Sequence, residues 1–198
     1  MESKENFGLY QSQVQTYVSF TSFMTGVVVF FAGLLLSSFH TFDISIKVPI
    51  SFLIISIFGF LYSTLIYSGA AEEAAQMRLE GFRRALYLGD VISEYLGVYL
   101  LIISIPLVVT VITGDVFLRG VTIGAALVGL VMYQSSRVSM VERHFRGGYR
   151  FVSFLILFFG LVMFLTQIYR FHFAPVALVF ILFMLAITYR AARAKRIS

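Results

Sequence analysis

Cysteine is missing from this chain altogether, and so is tryptophan. The first absence excludes disulfides, thiolate metal sites and cysteine nucleophiles, and leaves the redox compartment illegible. The second hands interfacial anchoring, which tryptophan and tyrosine usually share, to the 11 tyrosines alone. Charge is scarce as well. Asp, Glu, Lys and Arg make up 13% of the 198 residues, where a soluble domain carries about 25%. A chain of this size leaves roughly a third of its unfolded surface exposed after folding, and too few polar side chains are present to cover that shell. With 59% hydrophobic residues and a mean hydropathy of +0.91, the expected medium around most of the surface is lipid.

Catalytic and cofactor motifs are also absent. There is no glycine-rich phosphate loop, no Gly-x-Ser-x-Gly elbow and no His-Glu-x-x-His, so no cofactor is expected. Glu142 and His144 flank Arg143, a spacing that splays their side chains around a helix, and His40 with His172 supplies too few ligands for a metal. No Asp, Glu or His lies at mid-depth in an apolar run, which disfavours an intramembrane protease. The amino-terminal residues lack the positive region of a cleaved leader, and neither a myristoylation nor a prenylation pattern is present.

What the chain does have is apolar runs of membrane-crossing length. A hydrocarbon core about 30 Å thick needs about 20 helical residues. Nearly charge-free runs of that order place helices at about 17–39, 48–70, 93–113, 117–136, 151–169 and 173–189. Pro106 falls inside the third, where a kink is expected. The fold class that follows is all-α: a single polytopic membrane bundle over residues 1–198, with six transmembrane helices in three sequential hairpins.

Arginine and lysine set its orientation. Lys4, Arg78, Arg83, Arg84, Arg137, Arg143, Arg146, Arg150, Arg190, Arg193, Lys195 and Arg196 fall on one side of such a bundle; Lys47, Arg119 and Arg170 fall on the other. Positive charge marks the cytoplasmic side, so both termini are expected in the cytoplasm, with the plasma membrane as the location. Arg143, Arg146, Arg190, Arg193 and Arg196 would contact anionic lipid there. Charges dispersed in this way do not form the basic patch that nucleic acid requires. Between the second and third spans, residues 71–92 carry Ala75, Leu79, Phe82 and Leu86 at helical spacing. This amphipathic segment is expected to extend the second span or lie on the membrane surface.

Small residues mark the candidate packing faces, because close approach of helices in lipid needs them. The first span aligns Ser22, Gly26, Gly33 and Ser37, and the second Ser56, Gly59, Ser63 and Tyr67. The fourth holds Gly120 and Gly124, and the fifth Ser153, Gly160 and Gln167. Segments following the second and fourth spans share Met, four residues, then Phe-Arg (Met77 to Arg83, Met140 to Arg146), which hints at an internal repeat; Tyr67 and Tyr133 near the ends of those spans read as interfacial anchors.

The polar constellation with most chemical content is on the third span. Tyr87, Asp90, Glu94, Gly97, Leu101 and Ser104 share one helical face, with the two carboxylates one turn apart. Asp90, Glu94, Ser104 and Gln167 are the candidates for an ion, proton or polar path. Three functions compete. The first is a non-enzymatic assembly subunit that packs as a homo-oligomer or with another membrane protein. The second is an oligomeric ion channel or small-solute transporter with an acidic inner mouth. The third is an enzyme acting on lipid headgroups through Asp90, Glu94, Glu142 and His144.

Because no native cysteine competes, single cysteines report the topology directly. Arg143→Cys and Arg193→Cys are expected to react with an impermeant maleimide from the same side of a sealed vesicle, and Lys47→Cys from the opposite side. Labelling of positions 143 and 193 from different sides would overturn the orientation.

Overall fold

The computed structural model describes residues 2–42, 44–76, 78–135, 149–169 and 173–194. Six long helices carry these residues, each with a stretch long and apolar enough to cross a membrane. Helix α1 is Glu2–Ser37 and α2 is Lys47–Ala75. Helix α3 is Leu79–Ile112, and α4 is Val116–Ser135. Helix α5 is Tyr149–Ile168, and α6 is Phe173–Ala194. No strand occurs among the described residues.

Three helices are longer than their apolar cores. Helix α1 begins well before residue 17, and its apolar stretch starts at Gln11. Helix α2 runs on through Glu72 and Glu73 to Ala75. After a tight turn, in which the Arg78 N–H bonds to Glu73 O at 2.9 Å, α3 starts at once. The 71–92 segment is therefore not a separate surface helix. It is divided between the last turn of α2 and the first half of α3, which is continuous into the third span and extends about 50 Å at 1.5 Å per residue. Its apolar stripe has a use: Phe82 is fully buried with Val14, Tyr67, Ala70 and Ala74 where α1, α2 and α3 meet. Pro106 sits inside α3 without ending it, and Pro49 and Pro175 lie in the first turns of α2 and α6, where a missing N–H leaves no bond unmade.

Helix α2 pairs most extensively with α3, and next with α1. The face of α1 that packs is Val14, Thr21, Val28, Ala32 and Leu35, against Ile50, Leu53 and Phe60 of α2. One polar contact pins the register: Thr64 Oγ1 donates to Thr21 Oγ1 at 2.7 Å. This corrects the expectation from small residues. Ser22, Gly26, Gly33 and Ser37 are exposed, and a Cβ at Gly26 or Gly33 would meet nothing within 4 Å. The same holds for Gly120 and Gly124 of α4, whose inward face is Ala126, Leu130 and Gln134. In hydrocarbon, side-chain fit and hydrogen bonds decide which face turns inward, and Val28, Ala32 and the Thr21 hydroxyl supply both. Gly160 is in ordinary contact, with an added Cβ 3.8 Å from Ile103 Cδ1.

Close backbone approach occurs instead between α2 and α3. A Cβ on Gly59 would sit 2.7 Å from the Gly97 nitrogen, and one on Gly97 would sit 2.8 Å from the Phe60 ring. Ser56 Oγ donates to Gly97 O at 2.9 Å, and Ser63 Oγ to Gly89 O at 3.0 Å. Behind this seam lies the main core of Phe52, Tyr95, Tyr99, Leu100, Ile103 and Phe180, to which α4, α5 and α6 contribute Leu130, Ile156 and Met184.

A branched side chain on the seam must push two backbones apart, which overpacking data put at roughly 1–3 kcal/mol. Gly59→Val is expected to lower the thermal midpoint in detergent by several degrees, while Gly33→Val leaves the monomer's midpoint unchanged. Circular dichroism of the two variants side by side checks this; equal midpoints would remove the seam from the account.

Candidate functional site

The helix carrying Asp90 and Glu94 changes its winding between them and the membrane core. Residues Ser93–Val98 form a π-helical turn, and the Tyr99 N–H bonds to Glu94 O, five residues back. In a regular α-helix, Glu94 and Tyr99 would point about 140° apart, at 100° per residue. Across the wider turn they meet: Tyr99 Oη donates to Glu94 Oε1 at 3.0 Å. Single π turns inside α-helices are frequent at functional sites. Here the turn brings a hydroxyl donor to a carboxylate that the protein has enclosed, since Glu94 is only 3% exposed.

The surrounding side chains are mostly tyrosines. The rings of Tyr95 and Tyr99 stack with centroids 6.0 Å apart, and Tyr133 meets Tyr99 edge-on at 5.7 Å. Tyr95 is fully buried, and its hydroxyl has no partner among the described residues. One turn earlier, Tyr67 Oη donates to Asp90 Oδ1 at 2.6 Å, a short charge-assisted bond. Gly89 makes that bond geometrically possible, because a Cβ there would lie 2.5 Å from the Tyr67 ring. Tyr17 of α1 stacks on the other face of the site, 5.2 Å from Tyr67, and Tyr87 Oη donates to Ala191 O of α6 at 3.1 Å. Tyrosines of α2 and α3 thus bond the two carboxylates, and ring contacts and one hydrogen bond tie those tyrosines and Tyr87 to α1, α4 and α6.

Asp90 and Glu94 are thus brought into one cluster, Asp90 half-buried and Glu94 buried. The other two polar-path candidates are not in it. Ser104 is buried, and its hydroxyl donates to Leu101 O of its own helix at 2.8 Å. Gln167 of α5 donates through Nε2 to Leu107 O at 2.9 Å and stands beside a cavity near the start of α2 and α6. Tyr99, Leu100, Ile103 and Leu107, all fully buried, occupy the length of α3 between Glu94 and that bond. Of the arginines assigned to lipid, Arg190 and Arg193 are exposed on α6, and the Arg193 guanidinium lies 4.5 Å from the Tyr189 ring centre. Arg143, Arg146 and Arg196 lie outside the described residues. So do Met77 and Met140 of the repeat, and Glu142 and His144 of the enzyme reading. Among the described residues, no three His, Asp or Glu side chains gather as metal ligands.

Two features of the site escaped sequence reasoning. Tyr67, read as an interfacial anchor, bonds Asp90 instead, and Tyr133, read likewise, packs edge-on against Tyr99. The signal for them was their place near the ends of the second and fourth spans. The π turn had no such signal, since Ser-Glu-Tyr-Leu-Gly-Val is compatible with an ordinary helix. Comparison of the chain with protein-family models, with curated proteins and with solved structures finds no match, so the chemistry of the site rests on its own geometry.

Removing one hydroxyl tests the architecture of the cluster. Hydrogen bonds to charged groups contribute about 1.5–3 kcal/mol, so Tyr67→Phe is expected to destabilise the protein by that amount with its ring packing retained. In a double-mutant cycle with Asp90→Asn, the two losses should fall well short of additive. Additive losses, measured by chemical unfolding in detergent, would show that the pair does not interact.

Proposed function

We propose that this chain is a subunit of an oligomeric channel or small-solute carrier of the plasma membrane. In this reading its six helices form three sequential hairpins with both termini in the cytoplasm, and Asp90 and Glu94 bind a proton or a monovalent cation at the cytoplasmic mouth. The observation that carries the reading is the enclosure of Glu94, 3% exposed within a π turn and bonded by the Tyr99 hydroxyl. An ionisable side chain within a transmembrane segment is disfavoured by about 2.5–3.5 kcal/mol at the helix centre on insertion scales and by less near an end such as that of Glu94, and such residues mark ion and proton pathways by default. A carboxylate used only for solubility at the interface would face water. This one is enclosed and accepts from the Tyr99 hydroxyl.

The chemistry fits a cation. Carboxylates one turn apart give two negative centres, and tyrosine oxygens can donate to a carboxylate or accept from a bound ion. The orientation draws support from the twelve basic residues on one side and from the contacts. Tyr17, Tyr67, Asp90 and Ala191 are drawn together at one end of the bundle, whereas the beginnings of α2, α4 and α6 line a common cavity at the other. Oligomer formation draws support from the open glycines of α1 and α4 and from the small buried share of α4, 11% of its apolar window.

That exposed α4 also favours a second reading, an assembly subunit that conducts nothing and offers α1 and α4 to another membrane protein. Reconstitution separates the two. Purified protein in sealed liposomes is expected to dissipate an imposed proton or potassium gradient, read with pH- and potassium-sensitive dyes. Glu94→Gln should reduce the flux at least tenfold, with Asp90→Asn adding to the loss. Flux that is absent, or indifferent to both substitutions, would discard the conducting reading and leave the assembly one.

A further inference from the structure

A cavity of about 710 Å³ opens at the opposite end of the bundle from Asp90 and Glu94. Its wall is built by five helices and combines charge with apolar surface: Lys47 and Val48 of α2, Thr110 of α3, Arg119 of α4, Gln167 of α5, and Phe173 of α6. Lys47 and Arg119 are far apart in sequence, and the fold brings both to one chamber. Among the described residues, no Asp or Glu lines it. Asp115, four residues before Arg119, accepts from the Leu118 N–H at 2.8 Å at the start of α4 and is exposed; Asp43, next to Ile44 of the wall, lies outside the described residues.

The two cations are held differently. Arg119 is fixed: Nε donates to Thr113 O at 2.8 Å and Nη2 to Thr110 O at 2.9 Å, the last carbonyls of α3. Those two bonds use two of the five guanidinium N–H groups and leave three on a rigid fork. Lys47 makes no ion pair or hydrogen bond through its side chain among the described residues and is exposed. Helices α2 and α6 both begin at the cavity, with 29 and 22 residues behind them, so the positive ends of two helix dipoles add to the field. Beside the cations stand Val48, Phe173 and Pro175, and Gln167 sits in the wall with its Oε1 unpartnered among the described residues.

We infer that this cavity binds an amphiphilic anion, with a phosphate- or carboxylate-type head between Lys47 and Arg119 and an apolar portion against Val48 and Phe173. The pre-set guanidinium explains why a ligand would be held in one geometry rather than attracted diffusely, because little side-chain freedom remains to be lost on binding. An anionic lipid of the adjoining leaflet and a soluble organic anion share this chemistry. The inference is independent of the reading of Asp90 and Glu94.

Native mass spectrometry of the delipidated full chain in a neutral detergent tests it. The probes are dihexanoyl phosphatidylglycerol, dihexanoyl phosphatidylcholine and hexyl phosphate. One equivalent per chain of an anionic probe is expected to bind at least tenfold more tightly than the zwitterionic lipid. A preference for the glycerolipid would identify a lipid site, and a preference for hexyl phosphate a soluble ligand. Lys47→Gln should weaken binding about fivefold, and Ala174→Trp, which narrows the chamber and leaves both charges in place, should weaken it as well. Arg190→Gln, at the other end, should change nothing. Arg119→Gln is avoided because it also releases the end of α3. Equal affinity for the zwitterionic lipid, or binding indifferent to both Lys47→Gln and Ala174→Trp, would overturn the site.

Discussion

Two backbones can come into contact only where neither carries a side chain in the way, and this molecule is organised around one such contact. Gly59 of α2 rests against Gly97 of α3, and Gly89 lets the Tyr67 ring lie across the α3 backbone. Ser56 and Ser63 bond to the Gly97 and Gly89 carbonyls and hold the two helices in register. Everything chemically distinctive depends on that closeness. Tyr67 reaches Asp90 because Gly89 has no Cβ, and the π turn between Gly89 and Tyr99 is flanked by the two serine bonds. A looser pairing would leave the carboxylates without their hydroxyl donors.

Enclosing those carboxylates is energetically demanding, since desolvated charge is disfavoured unless paired and hydrogen-bonded. Among the described residues, tyrosine hydroxyls donate to both carboxylates. A phenol presents a hydroxyl to the carboxylate and a ring to the apolar core, so one residue type serves both needs. Eleven tyrosines in a chain without tryptophan therefore have work beyond the interface. Tyr95 and Tyr99 are fully buried, out of reach of a headgroup.

The periphery obeys a different logic. Phe20, Phe23, Phe30 and Phe31 of α1 and Phe117, Val128 and Met132 of α4 are exposed, as expected of surfaces that face hydrocarbon, where exposure of apolar groups carries no penalty. For the same reason an open glycine in such a surface is no defect. It becomes a place where another helix can approach. The two ends of the bundle are also unlike each other: the carboxylates are shut in among tyrosines at one, and Lys47 and Arg119 border an open chamber at the other.

Residue types and run lengths were enough to establish an all-helical chain with six apolar helices of membrane-crossing length, because hydrocarbon leaves a backbone few ways to satisfy its polar groups and composition alone reports the solvent. Asp90 and Glu94 were legible as a pair for a similarly local reason, the four-residue spacing that places both on one face. What lay beyond the sequence was everything set by contact between helices. Gly26 and Gly59 read alike in isolation, yet one faces open space and the other a backbone, because rotation about the helix axis is chosen by the neighbour's shape. The 71–92 stripe was correctly amphipathic, but only the turn at Arg78 decided that most of it continues α3. The widening of α3 at Ser93–Val98 and the meeting of Lys47 with Arg119 belong to the tertiary structure alone, since each is a balance of many weak contacts between residues that no local pattern connects.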